Sequence, residues 1–336
     1  MNLLITGAAG NLGSFLARDL LGSAHGVRLL IHRRELPYSI AAAPNASVWR
    51  ADLEKPETLR APCEGTDCIV HFAGVLFAPR PEQFLPRTNT RYVENLVAAA
   101  RAAGVRKFIL ISFPHVEGES FPDRPATGRL DGQPESVHAR TRLAAEKALF
   151  AACGHDVDQV SSRPVCHPEL VEGSPRAGLT PVVLRPGMIY GRGVLMIEAA
   201  RWLLRHRLLA VWRTPTWEHL LALPDFLAGV RAAIERPDFS GVCNLADDQP
   251  LPLQEFLDTI ATHWGYPKPW RAPRWSFYAA AAGCEAFGSI FGTAAPLTRD
   301  FIRIGMASSV ADTTRMKREL LPRLAYPTLQ DGLELL

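Results

Sequence analysis

Gly7, Gly10 and Gly13 stand in L-L-I-T-G-A-A-G-N-L-G at G-x-x-G-x-x-G spacing, after a short apolar run and at the mouth of an amphipathic helix pattern. With that spacing one glycine makes a tight turn, the next lets backbone approach a pyrophosphate, and the third lets helix pack closely on strand. The helix start adds unpaired N–H groups and the positive end of a dipole, which suit phosphate oxygens. A glycine triplet alone also fits an ordinary tight turn; the strand before it and the helix after Asn11 point to a dinucleotide.

About twenty positions onward, where NAD-binding sites place an acidic residue for the ribose hydroxyl, the chain has His32, Arg33 and Arg34. Guanidinium forks grip phosphate oxygens in pairs, so this segment suits a ribose 2′-phosphate and points to NADP(H), with NAD(H) possible. The alternatives are a solvated turn, and a Glu35 that folds back onto the ribose. Further along, His115, Glu117 and Glu119 in P-H-V-E-G-E follow a fifth apolar run and offer an acid or base at the ligand edge, or a solvated loop.

The elements that must position these groups read as repeated βα units. Strands are predicted at Leu3–Thr6, Val27–Ile31, Ser47–Arg50, Cys68–His71, Lys107–Ser112 and Thr180–Arg185, the last stopped by Pro186 and Gly187. Helices are predicted at Asn11–Leu21, Pro81–Ala103 and Pro134–Ala152. The fold class is α/β: a doubly wound parallel Rossmann sheet over 1–187 with a smaller, mostly helical lobe over 188–336, from which 241–246 returns to the sheet. Helical segments of that lobe are expected near Leu195–His206, Pro224–Glu235, Pro252–Trp264, Trp275–Phe291 and Leu297–Ile304. Residues 155–177, rich in Pro, Ser and charge, read as a loop insertion; C-H-P-E-L-V-E-G-S-P resembles peptides encoded by short repeated elements in bacterial genomes.

Thirty-seven basic against thirty-four acidic residues give a formal charge of +3, too little for a nucleic-acid footprint. A small-molecule substrate suits this balance better. The six cysteines show neither C-x-x-C pairs nor zinc-like spacing, so no metal is expected and a cytoplasmic location is. Met1 to Thr6 already read as a buried strand, which leaves no room for a signal peptide. The apolar stretch Trp275–Gly292 is broken by Glu285 and too short to cross a bilayer. It reads as a lid or pocket helix, with membrane contact the weaker alternative because the stretch carries no cationic face of its own.

These motifs together resemble the extended, atypical short-chain dehydrogenase/reductase superfamily, in its epimerase/dehydratase and 3β-hydroxysteroid dehydrogenase-like group. T-G-A-A-G-N-L-G is similar to its glycine motif, A-D-L at 51–53 to its adenine-contacting motif, H-F-A-G at 71–74 to its fourth-strand motif, and L-R-P-G at 184–187 to its turn beside the nicotinamide. L-P-D-F-L-A-G-V, V-C-N-L-A-D-D and the closing D-T-T-R-M-K-R-E-L-L with Y-P-T-L-Q-D-G-L resemble its substrate-domain landmarks. The resemblance implies cofactor contacts from Ala9, Asn11, Leu12, Asp52, Leu53, Phe72, Ala73, Gly74, Asn89, Ser112, Pro186 and Gly187 besides the three glycines. It also implies pairing of two copies through Rossmann-domain helices. Tyr190 matches a common, mostly structural, tyrosine of the family.

The chemistry departs from that family. Its Ser/Thr after the fifth strand aligns with Phe113, and its Tyr-x-x-x-Lys pair with His138 and Arg142, the register marked by Thr141 and Glu146. Phe113 donates nothing. An imidazole titrates near pH 6.5 and can exchange a proton, while a guanidinium one turn along the same face can hold hydroxyls but relays no proton. Two readings follow. One is an atypical oxidoreductase for an apolar carbonyl or alcohol, with Trp270, Trp275, Phe277, Tyr278, Phe287 and Phe291 shaping the lobe. The other is a non-catalytic dinucleotide-binding sensor or assembly subunit.

Overall fold

The computed structural model describes residues 1–74, 81–155, 178–291, 293 and 297–336. Apart from His155, the insertion read at 155–177 lies outside the described residues. The first six strands are β1 Asn2–Thr6, β2 Gly26–Ile31, β3 Ala46–Arg50, β4 Cys68–His71, β5 Lys107–Ile111 and β6 Thr180–Pro186. The rest are β7 Met188–Tyr190, β8 Ala210–Trp212, β9 Trp217–Glu218, β10 Leu220–Ala222, β11 Gly241–Leu245, β12 Leu251–Pro252 and β13 Trp270–Ala272. One seven-stranded sheet runs in the order β11-β6-β5-β4-β1-β2-β3, with every pairing parallel.

The order turns at β1, which has β2 on one side and β4 on the other. Parallel strands need helical crossovers, so both faces of β1, β4, β5, β6 and β11 are covered and these strands are buried nearly throughout, whereas the edge strand β3 is largely exposed. Successive residues accordingly enter different cores: Leu3 and Ile5 pack into one, Leu4 into the other, all fully buried. The return of 241–246 is realised as β11 beside β6. Ligands of such sheets bind at the carboxyl ends of the strands, where the order switches, and that is where the Gly7 loop emerges.

Three local features differ from expectation. The helix predicted over Pro81–Ala103 is a helix Pro81–Leu85, a π-helical turn Pro86–Arg91 and a helix Tyr92–Ala102. Pro86 brings no N–H, and the widened turn leaves Thr88 and Asn89 buried. The Pro134–Ala152 helix begins at Val137, because Ser136 accepts the Ala139 N–H at 3.1 Å as its N-cap. Third, the small lobe holds three two-stranded pairs, β7/β10, β9/β12 and β8/β13. Segments of two or three residues are too short to show a period.

Candidate functional site

The glycine loop is built by close approach. Gly7 has φ +69°, and a Cβ there would stand 2.8 Å from the Ala73 nitrogen of the loop after β4. Gly10 N–H donates to Gly7 O at 2.8 Å, and Gly10 caps the helix Asn11–Asp19. A Cβ on Gly13 would collide with that same Gly7 carbonyl. The amides of Asn11, Leu12 and Gly13 find no acceptor among the described residues, so three donors stand at the positive end of the helix. The Asn11 side chain is engaged elsewhere: Nδ2 donates to Gly193 O at 2.8 Å and Oδ1 accepts from Leu195 N–H at 2.9 Å, pinning the small lobe to the helix start.

At the end of β2, His32, Arg33 and Arg34 are all exposed. Arg33 and Arg34 have no ion pair among the described residues. Arg50, which the sequence reading passed over, crosses from the end of β3 to His32 O at 2.7 Å and pairs with Glu35. Both partners of that pair are exposed. His32 Nε2 lies 3.7 Å from Asp52 Oδ2, so the A-D-L segment borders the same corner. Leu53 is buried, and its carbonyl is held by Asn95 Nδ2 at 2.9 Å.

The inner end gathers residues from four elements. Phe72, Ala73 and Gly74 leave β4, with Phe72 N–H on Thr6 O at 3.2 Å. A Cβ on Gly74 would lie 2.6 Å from Arg142 Nη2 and 3.4 Å from Asn89 Oδ1. Asn89 Nδ2 faces Thr141 Oγ1 at 3.0 Å and His138 Nδ1 at 3.3 Å. Arg142 Nη1 and Asn89 Oδ1 are buried here without a partner among the described residues. Buried polar groups are normally satisfied, so an orphan donor beside an orphan acceptor marks a place for a ligand that both accepts and donates, as a ribose diol does. Burial pulls Arg142 down to about 10, which leaves it charged near neutrality. Replacing Arg142 by methionine is expected to weaken dinucleotide binding about tenfold or more, measured by calorimetry, since a charge-assisted hydrogen bond is worth about 1.5–3 kcal/mol; unchanged affinity would remove it from the site.

Phe113 lies against the His138 ring at 5.2 Å between centroids and against His115 at 5.5 Å. With Asn89 Nδ2 donating to Nδ1, the His138 proton sits on Nε2. Burial, with the Arg142 charge and His115 adding to it, pushes His138 down to about 3. The folded state thus prefers the neutral ring; that contribution to stability is whole above pH about 6.5 and is lost as pH falls toward 3. The expected result in a pH series of imidazole nitrogen NMR spectra is a His138 ring that does not titrate between pH 5 and 8. A midpoint near its ordinary value would contradict this environment.

The loop acids are not free. Glu117, read as a possible acid or base, accepts the N–H groups of Thr127 at 3.0 Å, Gly128 at 2.7 Å and Arg129 at 3.1 Å, and pairs with Arg185 Nη1 at 2.5 Å. Burial raises its carboxyl, with Arg185 opposing. Glu146 takes the other side of Arg185, through Nε at 3.2 Å and Nη2. Burial holds His115 down to about 4, and Glu119 accepts the Ser308 N–H at 3.4 Å. Of the two loop acids the fully buried Arg185 in β6 draws Glu117 inward, while Glu119 stays exposed as the solvated-loop reading has it.

Around the far edge, Ser112 donates its N–H to Leu184 O at 2.8 Å while its buried Oγ is unpaired. Pro186 ends β6, and Gly187 packs so tightly on His219 O that a Cβ would collide. Tyr190 is buried, its hydroxyl on Thr328 O at 3.3 Å, which is a structural role. Asp300 was not singled out in the sequence. Its carboxylate accepts Val137 N–H at 2.6 Å and His138 N–H at 3.1 Å, fixing the helix that carries His138 and Arg142 to the small lobe. An acid one hundred and sixty residues away carries no local signal; only the fold brings it to that helix start.

The aromatic residues of the lobe do not gather into one pocket. Phe277 and Tyr278 pack inward, with Phe277 edge-on to Trp212 at 5.6 Å, whereas Trp270, Trp275, Phe287 and Phe291 are exposed.

Against known proteins, the profile of the NAD dependent epimerase/dehydratase family matches residues 3–205. A uronate dehydrogenase of Pseudomonas putida is 32% identical over 162 residues, 48% of this chain and 59% of that enzyme, so the chain matches little more than half of that relative's length. A 2-alkyl-3-oxoalkanoate reductase of Stenotrophomonas maltophilia is 25% identical over 298 residues, 85% of this chain and 82% of the reductase. Among solved structures, UDP-glucose 4-epimerase of Thermotoga maritima superposes with TM-score 0.72 at 18% identity, covering 100% of this chain and 97% of that one, which shows a shared fold. The seven-stranded parallel sheet, the glycine loop at its switch point and the profile match over more than half the chain lead to one assignment: this protein belongs to the NAD dependent epimerase/dehydratase family.

Proposed function

We propose that the chain is an NADP(H)-dependent oxidoreductase acting on an apolar carbonyl or alcohol. The observation that carries the reading is the buried Arg142 guanidinium beside Gly74, whose Nη1, like the Asn89 carbonyl oxygen, has no partner among the described residues. The cradle fits the cofactor: Gly7, Gly10 and Gly13 leave room for a pyrophosphate under the Asn11–Gly13 amides, and Arg142 with Asn89 takes ribose hydroxyls. When bound, the nicotinamide supplies or accepts the hydride. His138 then acts as a neutral Nε2–H donor that stabilises charge on the substrate oxygen, not as an acid, since its ring stays unprotonated. The proton comes from water. Phe113 packs on that ring and fixes its plane. The 2-alkyl-3-oxoalkanoate reductase, matched along most of both chains, supports a ketone with an apolar substituent as substrate class.

Preference for the phosphorylated cofactor is supported by Arg33 and Arg34, exposed and unpaired among the described residues, and by Glu35, which Arg50 occupies. Arg33→Ala with Arg34→Ala is expected to weaken NADPH binding about a hundredfold and leave NADH binding unchanged, given about 1.5–3 kcal/mol for each charge-assisted hydrogen bond. Equal losses for both cofactors would assign the arginines to something other than the 2′-phosphate.

The experiment for the whole reading follows NADPH absorbance with a panel of apolar ketones. Consumption that falls in His138→Ala supports it. The second reading, a dinucleotide-binding sensor, is favoured by one observation, that neither Phe113 nor the neutral His138 relays a proton; NADPH binding without consumption across the panel would select it.

A further inference from the structure

The helix Arg274–Phe291 is about 27 Å long at 1.5 Å per residue, and its inward face carries Phe277, Tyr278, Ala281 and Gly288. Its one acid, Glu285, is turned toward Arg299, pairing at 2.7 Å. The outward face holds no charge from Trp275 to Phe291. Trp275 is 71% exposed, Phe287 58%, Ile290 75% and Phe291 64%, separated by alanine, glycine and serine. A surface helix of a globular protein ordinarily shows water a polar face, and a contiguous apolar one marks an interaction site. No described helix is long and apolar enough to cross a membrane.

The cations missing from this helix come from the strands that lead into it. β13 pairs in parallel with β8, Trp270 opposite Ala210, and the Trp270 indole N–H donates to Arg207 O at 3.0 Å. The two segments joined there, 201–213 and 264–275, contain seven Arg and Lys residues and no acid. Asp258 offsets part of this, at 3.6 Å from Lys268 and 2.7 Å from Arg271. Arg205, Arg207 and Arg213 are exposed and have no carboxylate partner among the described residues. Exposed Trp202, Trp270 and Trp275 lie among these cations. Indoles at the boundary, cations beside them and an uncharged helix face alongside form the combination that sits on an anionic lipid surface.

We infer that the uncharged face of the Arg274–Phe291 helix, with the cationic β8/β13 edge, docks in the plane of an anionic phospholipid bilayer. The face lets an apolar substrate reach the protein from the membrane, without the chain spanning it. The test is flotation of the full chain with vesicles of phosphatidylcholine alone or mixed with phosphatidylglycerol, at low and high salt. The protein is expected to float with the mixed vesicles only and to be released by salt. Arg205→Glu with Arg207→Glu, and separately Phe287→Ser with Ile290→Ser, should each reduce the bound fraction about tenfold or more, with circular dichroism and NADPH affinity unchanged. Equal binding to neutral vesicles, no binding to either, or a dimer in light scattering that the Phe287 and Ile290 changes dissolve while no vesicle binding occurs would each overturn the inference. The NADPH readout keeps this result separate from the oxidoreductase reading.

Discussion

Replacing Arg185 by methionine is expected to lower stability by about 3–5 kcal/mol, the cost of removing one partner from a buried ion cluster. Arg185 is completely buried and holds Glu117 at 2.5 Å, Glu146 through two nitrogens and the Arg129 carbonyl at 2.8 Å. Without it two carboxylates face each other away from water, and one must take up a proton or the loop after β5 must open. At about 2.1 cal/mol/K of unfolding entropy per residue, each kcal/mol moves the melting temperature of a chain of this size by about 1.4 °C, so a fall of about 4–7 °C is expected in a thermal melt at pH 7. Changing Glu117 and Glu146 to glutamine in the same variant should restore most of it, since the cost lies in the orphaned charges more than in the missing attraction. A methionine variant within about 1 kcal/mol of the parent would mean water already reaches the cluster.

Gly13→Ala is expected to weaken NADPH binding at least about a hundredfold, or some 2.7 kcal/mol. The added methyl collides with the Gly7 carbonyl, a backbone atom that cannot turn aside as a side chain would. Gly7 in turn has Ala73 behind it, so the helix start itself must retreat and take the Asn11–Gly13 amides with it. Ser14→Ala in the same turn removes only a bond to Asn11 O and serves as the control with parent-like affinity. Retained binding by a folded Gly13→Ala protein would place the pyrophosphate elsewhere.

What the sequence makes legible is what local chemistry decides. The central strands of the large sheet announce themselves as apolar runs because both their faces are covered, and the observed bounds of β1 to β6 differ from the predicted ones by a residue or so. The glycines are readable because each answers a backbone collision. The position of Arg142 at the site is readable through its place in a recurring motif. What stays hidden depends on distant partners. Glu117 and Arg185 sit 68 residues apart, Asp300 and Val137 163 apart, and neither pair leaves a periodic trace. Arg50 falls on a strand whose outward residues look like ordinary surface. The apolar helix carries no cation from Trp275 to Phe291, as expected; what stays hidden is the β8/β13 pair, two segments sixty residues apart, whose cations lead into it.

The most direct test of the central claim is calorimetric titration of the purified chain with NADPH, NADP⁺, NADH and NAD⁺. The account predicts binding at one site per chain, tighter for the phosphorylated pair and weakened in Arg142→Met. A protein that is folded by circular dichroism yet binds none of the four would contradict it.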